Sequence, residues 1–420
     1  MGRLALRRLA IWDIPSARAS DPEAEEAASR IVEEVRLKGV EALRGFAERF
    51  GEITPGAPLF LDRKALDLAR EALPAGTRSL LERTHDRIRS FAVAQRACLS
   101  DLDMAIPGGR AGHRFLPVQK AGCYVPGGRF PLASSALMTV ATARAAGVGS
   151  VYCAGPKPAV ETLASAAIAG ADGFLLAGGA HAIAALAYGA GPIEGRDVVV
   201  GPGGRYVAAA KRLLFGLVGM DAPAGPSELL VIADSTADPA LVASDLLAQA
   251  EHDPAAIPAL VVLDEDLIEK VEDALAAQLE GFPAINAATA RKALCNAWVL
   301  VAASREEAIA ASDRFAPEHL ELLVDDPQSY ALIAKNAGAL FLGSGAAEVL
   351  GDYGAGPNHC LPTGGAARFA AGLSVLTFLR ARTWLSMDSP SELGRDAASF
   401  ARLEGLAGHA RAAEARVVGS

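Results

Sequence analysis

Gln249 and His252 lie three residues apart in the stretch Leu246–Pro254 of this 420-residue chain. If the stretch is helical, positions i and i+3 share a face, so both side chains can reach one point. An amide oxygen and an imidazole nitrogen are ligands that zinc accepts. The spacing therefore favours a metal site, although a purely hydrogen-bonding role for both residues stays open.

Further groups of the same chemistry follow later in the chain. Asp352 and His359 flank a loop that is too rich in glycine to be the interior of a helix. His409 lies in the last helical stretch, and Glu404 precedes it by five residues. Imidazoles, a carboxylate and an amide could together bind zinc. These residues are far apart in sequence, so their spacing alone does not establish the site.

Glu318 and His319 are adjacent, and Pro317 before them fixes a turn into an alternating, strand-like run. A carboxylate beside an imidazole offers two groups that move protons near neutral pH, where histidine titrates unaided. The pair therefore indicates acid–base chemistry. An ordinary solvated entry into a strand explains the same residues equally well.

The elements that must position these residues follow a βα pattern from Val118 onwards. Short apolar runs that end in glycine alternate with helical segments, which is typical of a parallel, doubly wound α/β sheet. The predicted strands are 122–128 with its closing turn, 151–154, 174–177, 198–200, 229–233, 259–263, 298–302, 320–322 and 338–343. The predicted helices between them include 159–169, 181–188, 206–214, 267–279 and 305–312.

The chain before this pattern and after it is predicted to be helical. Within residues 20–100, one amphipathic helix opens at Asp21-Pro22 and ends at Gly39, and a second covers Ala65–Phe91. A last helical element covers about residues 397–416. Apolar residues at i, i+3 and i+4 spacing support each of these predictions.

Composition excludes several classes of function. The formal charge of −9 argues against a nucleic-acid surface, and the five scattered cysteines form no CxxC pair. The N-terminal segment is too weakly apolar for a signal peptide. The apolar stretch Leu163–Ala190 is interrupted by Asp172, His181 and glycines. The sequence therefore predicts a cytoplasmic protein that binds neither nucleic acid nor a membrane.

Three predicted βα turns are rich in glycine, although no GxGxxG motif is present. They are Gly127-Gly128, Gly178-Gly179 and Gly201–Gly204. Backbone N–H groups at the N-terminus of a helix can hold a phosphate. Left-handed turns also demand glycine, so each turn could equally be structural.

Six segments, taken in order, resemble the histidinol dehydrogenase family. They are GCYVPGGRFPLASSALM (122–138), GPGGRYVAAAKRLLFG (201–216), AGPSELLVIAD (224–234), DLLAQAEHDP (245–254), FAPEHLEL (315–322) and GDYGAGPNHCLPTGGAARF (351–369). The resemblance covers the chain from about residue 20 to 416. Several long motifs in one order are far more specific than any single motif.

The resemblance implies a role for each candidate residue. It implies a zinc ion bound by Gln249, His252 and Asp352, and by a His409 that the partner subunit of a homodimer supplies. It also implies that Glu318 and His319 carry the proton transfers. The implied substrate contacts are Ser227, Gln249, His252, His319, Asp352, His359, Glu404 and His409. Tyr124, His181 and Gly204 lie at positions where the family contacts NAD.

The implied reaction is the NAD-linked, four-electron oxidation of L-histidinol to L-histidine through an aldehyde, the last steps of histidine biosynthesis. Zinc would hold the amino alcohol and polarise its oxygen. His319 would accept protons, and Glu318 would activate the water that attacks the aldehyde.

The family fold implied here consists of two intertwined, incomplete Rossmann-like domains, each a doubly wound parallel sheet, with small helical extensions at both termini. Residues 1–19 would form the N-terminal extension. Residues 20–121 and 228–371 would form the first domain, and 122–227 the second, on the NAD side. Residues 372–420 would form a C-terminal helical extension that reaches the partner subunit.

This chain departs from the family at two positions expected to face NAD. His181 stands where glutamine is usual in GGAQAIAALA, and Gly204 where asparagine is usual in GPGN. An imidazole can still hydrogen-bond a ribose or phosphate, whereas glycine offers no side chain. The mode of NAD binding is therefore open. Arg129 replaces a common lysine and keeps its charge.

Two alternative functions stay open. Relatives on the same scaffold oxidise other small alcohols, such as a sulfopropanediol, but Glu404 would repel a sulfonate and favours a cationic or imidazole-bearing substrate. A zinc-binding homologue without catalysis is the second alternative. The metal and proton-transfer positions are all filled, which argues against it.

Overall fold

The computed structural model describes residues 5–15, 21–127, 132–222 and 225–417. Its helices are α1 (Pro22–Lys38), α2 (Val40–Arg49), α3 (Arg63–Ala72), α4 (Ala75–Ala97), α5 (Ala133–Ala146), α6 (Val160–Ala169), α7 (Gly179–Tyr188), α8 (Arg205–Leu214), α9 (Pro239–His252), α10 (Asp266–Glu280), α11 (Ala284–Ala293), α12 (Arg305–Phe315), α13 (Pro327–Ala331), α14 (Glu348–Asp352), α15 (Ser391–Leu403) and α16 (Ala407–Glu414). Its strands are β1 (Arg7–Arg8), β2 (Phe60–Asp62), β3 (Leu102–Ile106), β4 (Gly109–Pro117), β5 (Lys120–Tyr124), β6 (Ser150–Ala154), β7 (Gly173–Leu175), β8 (Gly189–Ala190), β9 (Ile193–Glu194), β10 (Val198–Val200), β11 (Gly219–Met220), β12 (Glu228–Ala233), β13 (Ile257–Val262), β14 (Trp298–Val301), β15 (His319–Leu323), β16 (Ala339–Leu342) and β17 (Leu379–Met387).

Two six-stranded sheets organise the chain, and they confirm the predicted α/β fold of two incomplete doubly wound units. Sheet A has the order β1-β14-β13-β12-β15-β16, and all its neighbours are parallel. Sheet B has the order β11-β10-β5-β6-β7-β2, and only β2 runs antiparallel. Every residue of β12 and of β10 is buried. Such continuous burial is expected for strands that carry helices on both faces.

A third sheet was not predicted from the sequence. It has the order β17-β4-β3, and all its pairs are antiparallel. The prediction that 372–420 is a helical extension is therefore wrong in part, because this segment contains β17. Strand β17 pairs with a strand more than 260 residues earlier, from Leu379 opposite Pro117 to Met387 opposite Gly109. Local periodicity carries no information about such a distant partner.

The helix predicted from Asp21-Pro22 to Gly39 is confirmed as α1. The Asp21 carboxylate accepts the Ala24 N–H at 3.0 Å, and Gly39 ends the helix with φ +58°. The single helix predicted over Ala65–Phe91 is instead two helices, α3 and α4. Leu73 between them is extended, as expected before Pro74, whose ring also cannot continue the first helix.

The last predicted helical element is also two helices. Helix α15 ends at Leu403 and α16 begins at Ala407. Gly405 between them has φ +76°, which breaks the helical path and lets the two helices pack against each other.

Residues 20–121 were predicted to form one unit with 228–371, but most of them pack with sheet B instead. Strand β2 joins sheet B beside β7, and α1 packs against α7 and α8. Helices α3 and α4 contact α6 and α5. The shared cores of these elements therefore place most of 22–97 with sheet B rather than with sheet A. β1, predicted as part of an extension, pairs with β14 in sheet A.

The apolar stretch Leu163–Ala190 is divided among α6, β7, α7 and β8. No helix in the described part of the chain is long and apolar enough to cross a membrane. Gly128 and Arg129, which were singled out in the sequence, lie outside the described residues.

Candidate active site

Helix α9 presents Gln249 and His252 as the sequence predicts. Asp238 caps this helix and Pro239 occupies its first turn, so the helix runs without a break to His252 at its end. Gln249 is fully buried, whereas His252 is exposed at the rim of the site. With its amide nitrogen turned toward Glu348, Gln249 donates to both carboxylate oxygens at 3.2 Å.

The short helix α14 brings the third predicted metal ligand to the same point. Ligand atoms of His252, Glu348 and Asp352 all lie within 4.8 Å of one another. Asp352 is half-buried and Glu348 is buried. The structure thus joins two of the predicted ligands, His252 and Asp352, and links the third, Gln249, to them through Glu348.

The glycine-rich loop after α14 returns His359 to the site. The His359 Nδ1 lies 3.2 Å from the Asp352 carbonyl oxygen. Arg87 of α4 donates to the Gly354 carbonyl oxygen at 2.7 Å, and Asn358 donates to the Met138 carbonyl oxygen of α5 at 2.9 Å. Helices that pack on sheet B therefore fix a loop that lines the site on sheet A.

His319 begins β15 and is buried. Its Nδ1 donates to the Glu228 carbonyl oxygen of β12 at 3.0 Å, so Nε2 carries the lone pair of a neutral ring. This Nε2 is buried and has no hydrogen-bond partner among the described residues. The Nε2 of His359 is likewise buried without such a partner. Buried orphan nitrogens of this kind indicate a place for a ligand.

Glu318 is held beside His319 by the ends of both strands. Ala316, with φ +53°, and Pro317 turn the chain out of α12 into β15. The Glu318 carboxylate then accepts the Glu228 N–H at 3.0 Å, while the Glu228 carboxylate accepts the Gly364 N–H at 3.1 and 3.2 Å. Glu318 and His319, which are predicted to transfer protons, are therefore both buried and both hydrogen-bonded to the backbone of Glu228.

Burial dominates the electrostatics of the site. Burial, with a smaller contribution from neighbouring imidazoles, lowers the pKa of His319 to about 3 and that of His359 to about 4. The pKa of His252 is also lowered, because its ring is partly desolvated by the neighbouring groups although the residue reaches the surface. For the acids, burial raises the pKa of Asp352 to about 7, and the pKa of Glu348 is raised by burial and by repulsion from Asp352.

A bound cation would offset the unfavourable energy of burying these carboxylates close together. Neutral imidazoles are ready to donate their lone pairs, and clustered carboxylates lose their mutual repulsion when a metal lies among them. The donor set of one amide, one imidazole and carboxylates, beside two orphan imidazole nitrogens, fits zinc.

The predicted cofactor side lies at the carboxyl edge of sheet B, where ligands bind in open α/β sheets. Tyr124 ends β5, and its hydroxyl accepts the Gly179 N–H at 3.0 Å. Burial raises the pKa of this hydroxyl to about 12. Tyr124 therefore ties the turn after β5 to the N-terminus of α7.

His181, predicted to face NAD, is buried, with 2% of its side chain exposed. Its Nε2 lies 2.8 Å from a Glu52 carboxylate oxygen, which also accepts the Gly178 N–H at 3.1 Å. The rings of Phe46 and Phe50 flank the imidazole. The Glu52 carboxylate thus occupies the N-terminus of α7, where a phosphate was considered. The His181 Nδ1 has no hydrogen-bond partner among the described residues, and its direct contact with NAD stays a prediction.

The Gly201–Gly204 turn is built around a buried ion pair of Lys211 and Asp221. Asp221 accepts the Gly201 N–H at 2.7 Å, and Lys211 donates to the Gly201 carbonyl oxygen at 2.9 Å. Gly201 has φ +119°, and a Cβ there would lie 2.1 Å from the Tyr124 carbonyl oxygen. A Cβ at Gly204 would instead meet open space. The turn therefore requires glycine at position 201, whereas position 204 has space for a side chain.

The comparisons with known proteins agree in one family. A sequence model described as histidinol dehydrogenase matches residues 15–417. Histidinol dehydrogenase of Thermus thermophilus is 44% identical over 400 residues, which cover 94% of this chain and 95% of that protein. That of Pseudomonas savastanoi pv. phaseolicola is 40% identical, with 98% and 96% covered. The crystal structure of histidinol dehydrogenase from Elizabethkingia anophelis has a TM-score of 0.88 at 30% identity, covering 98% of this chain and 94% of that chain.

This chain belongs to the histidinol dehydrogenase family. The resemblance seen in its motifs is thereby confirmed, and the chain is an oxidoreductase. Ser227, a predicted substrate contact, lies next to Glu228, whose carbonyl oxygen accepts a hydrogen bond from His319. Ser227 is therefore at the same end of β12 as the proton-transfer pair.

Glu404 and His409 are not part of the cluster that the single chain assembles. Both are exposed, Glu404 at the end of α15 and His409 on α16. His409 is not among the described residues whose ligand atoms converge on one point. Their predicted contribution to a partner's site in this dehydrogenase family stays a prediction.

Sequence reasoning missed several acids of this dehydrogenase site, namely Glu228, Asp245, Glu321 and Glu348. Glu348 precedes Asp352 by four residues, so a helical reading of AAEVLGD would have placed both carboxylates on one face. Burial and repulsion from Asp245 raise the pKa of Glu321 to about 8, and burial also raises the pKa of Asp245. Nothing in the local sequence pairs these two acids.

Proposed function

We propose that this protein catalyses the zinc-dependent, NAD-linked oxidation of L-histidinol to L-histidine through L-histidinaldehyde. The observation that carries the proposal is the cluster of His252, Glu348 and Asp352, with Gln249 hydrogen-bonded to Glu348. It lies near His319, whose Nε2 is buried without a hydrogen-bond partner among the described residues. Family membership supplies the reaction class, and the donor set supplies the metal.

Zinc held by Gln249, His252 and Asp352 would bind the amino alcohol and polarise its oxygen. The protein's own groups handle the protons. Because Nδ1 of His319 donates to the Glu228 carbonyl oxygen, only Nε2 can accept the hydroxyl proton. Because burial lowers the pKa of His319 to about 3, its ring is neutral at pH 7, and the lone pair of Nε2 is free to receive the substrate hydroxyl.

The second oxidation needs a water molecule, and we assign its deprotonation to Glu318. Its carboxylate is buried next to His319 and is oriented by the Glu228 N–H at 3.0 Å. NAD would supply the hydride acceptor for both oxidations, one for the alcohol and one for the aldehyde hydrate, while His319 would accept one proton in each. In total, one histidinol, one water and two NAD give one histidine carboxylate, two NADH and three protons. The enclosing loops would keep the aldehyde from solvent.

A second copy of the chain completes the site in this proposal. His409 would be the fourth zinc ligand, and Glu404 would face the imidazole of the substrate. Both residues are exposed on the C-terminal helix pair, where another subunit could receive them. A carboxylate there suits a cationic or imidazole-bearing substrate and disfavours a sulfonate.

The test is NADH formation by zinc-loaded protein with L-histidinol, counted per molecule of substrate consumed. We expect two NADH per histidinol, loss of turnover with a chelator, and recovery on adding zinc. His319→Asn should lower kcat by about 10²–10⁴ while zinc binding is retained. Turnover with a sulfonated diol but not with histidinol would refute the substrate. Silence with every alcohol would refute the catalytic proposal.

A further inference from the structure

One face of α9 carries three polar side chains rather than two. Asp245, Gln249 and His252 lie at positions i, i+4 and i+7, which point to the same side of a helix. Gln249 and His252 are the proposed zinc ligands. Asp245 precedes them by one and two turns and is half-buried.

Glu321 faces α9 from β15, the fifth of the six strands of sheet A. It lies two residues after His319 on β15, so both side chains are on the same face of the strand. Leu320 and Leu322 point to the opposite face and join a different core cluster. Glu321 is fully buried, and its Oε1 accepts the Glu348 N–H at 2.5 Å. Glu348 is the first residue of α14, the helix that carries Asp352.

The other contact of Glu321 is with Asp245. The carboxyl groups of Asp245 and Glu321 lie close enough to interact, and they can share a proton. No N–H or hydroxyl group of the described residues donates to Oε2 of Glu321. Two carboxyl groups can hydrogen-bond only when one of them carries a proton. Glu321 therefore bridges a side chain of α9 and a backbone N–H of α14.

We propose that Asp245 and Glu321 are positioning residues, which hold α9 and α14 in register so that Gln249 and His252 on one helix and Asp352 on the other meet a single zinc ion. Apolar packing alone permits small slips between helices, whereas a bridge of two hydrogen bonds sets one relative position. Neither residue needs to touch the metal. The inference rests on the proposed function, because it concerns the geometry of that zinc site.

The experiment measures the zinc dissociation constant of the full-length protein by equilibrium competition with a chromophoric chelator. Glu321→Gln keeps an oxygen for the Glu348 N–H and an N–H for Asp245, so we expect affinity within about threefold of the native value. Glu321→Leu has similar volume but neither group. We expect it to weaken zinc binding by about tenfold or more, as loss of groups that orient metal ligands does.

Two further variants keep the test decisive. Leu322→Ala is the matched control, because it weakens the same strand from its opposite face. It should lower the melting temperature of the metal-free protein without changing zinc affinity at 20 °C. If Glu321→Leu does not fold, Asp245→Ala removes the bridge from its half-buried end, and we expect the same loss of affinity.

Each result separates this inference from the proposed function. Native-like zinc affinity in Glu321→Leu, or in Asp245→Ala, overturns the positioning role and leaves the proposed function standing. Equal loss in Glu321→Gln and Glu321→Leu also overturns it, because the hydrogen bonds would then not be the cause. A native protein that binds no zinc overturns both.

Discussion

His319 is defined by one hydrogen bond and by its burial. The Glu228 carbonyl oxygen holds Nδ1–H, so the ring keeps one tautomer and one orientation. Burial lowers its pKa to about 3, far below the usual value of 6.5. The ring is therefore neutral at pH 7, and Nε2 presents a lone pair rather than a proton to the site.

The same lowered pKa predicts a loss of stability in acid. The unfolded chain binds a proton at this histidine below about pH 6.5, whereas the folded chain does so only near pH 3. The free energy of unfolding should therefore fall as the pH falls between these values. We expect His319→Asn to lose less stability than native protein from pH 8 to pH 4, by on the order of 3 kcal/mol at most.

Urea unfolding of the two metal-free proteins at both pH values measures this difference. At pH 8 the ring is neutral in both states, so the comparison there isolates the packing effect of the substitution. Parallel loss of stability in both proteins would show that His319 is not the group that resists protonation.

Glu52 is the second residue whose role depends on a buried contact. Its carboxylate accepts from the Gly178 N–H and pairs with His181 Nε2. Glu52→Ala should destabilise the protein by about 1–3 kcal/mol, because both groups lose a buried partner. Glu48→Ala on α2 removes only a surface ion pair with Arg44 and should change stability by less than about 0.5 kcal/mol.

Thermal unfolding checks that comparison, and the KM for NAD adds a functional reading. If Glu52 shapes the cofactor edge of sheet B, the KM should change while the zinc dissociation constant stays native. Native-like stability of Glu52→Ala would refute the buried pair.

At the scale of elements, the loop after α14 shows how distant helices set the site. Gly354 has φ +93°, and a Cβ there would lie 2.5 Å from Thr84 Cγ2 of α4. Only glycine lets this loop approach α4 while Arg87 binds its carbonyl oxygen. The loop in turn carries Asp352 and His359 at its two ends.

Gly354→Ala should therefore lower stability by about 1–3 kcal/mol and also weaken zinc binding. The matched control is Gly345→Ala, in a turn where φ is not positive and a Cβ meets nothing within 4 Å. Chelator competition and thermal unfolding of both variants test this. An effect of equal size in the control would mean that the loop position near α4 is unimportant.

At the scale of the whole molecule, one chain assembles the buried part of the site but leaves Glu404 and His409 exposed. If a second subunit supplies His409, each site contains Asp352 from one subunit and His409 from the other. Asp352→Asn and His409→Asn then remove ligands that come from different subunits. Each variant alone should be inactive. Subunits exchanged between the two should give mixed dimers in which one of the two sites is intact.

With random exchange, about half of the dimers are mixed and about a quarter of native activity should return. Activity is measured before and after co-refolding of equal amounts. The control is each variant refolded alone, which should stay inactive. No recovery, in the presence of mixed dimers shown by differently tagged subunits, would contradict the shared site.

The fold class and part of the candidate site could be predicted from the sequence because their signals are local. Apolar runs that alternate with amphipathic segments predict the parallel sheets, and a three-residue spacing predicts that Gln249 and His252 share a face of α9. The adjacent pair Glu318 and His319 is visible in the same way. Each of these features is contained within a few residues of the chain.

Only the tertiary structure decided the contacts between distant segments. The chemistry of His181 depends on Glu52, 129 residues earlier, and the pairing of β17 with β4 spans more than 260 residues. The bridge from Asp245 through Glu321 to Glu348 likewise joins three separate elements. The physical reason is that burial and hydrogen-bond partners belong to the packed chain. A residue's type is local, whereas its environment is not.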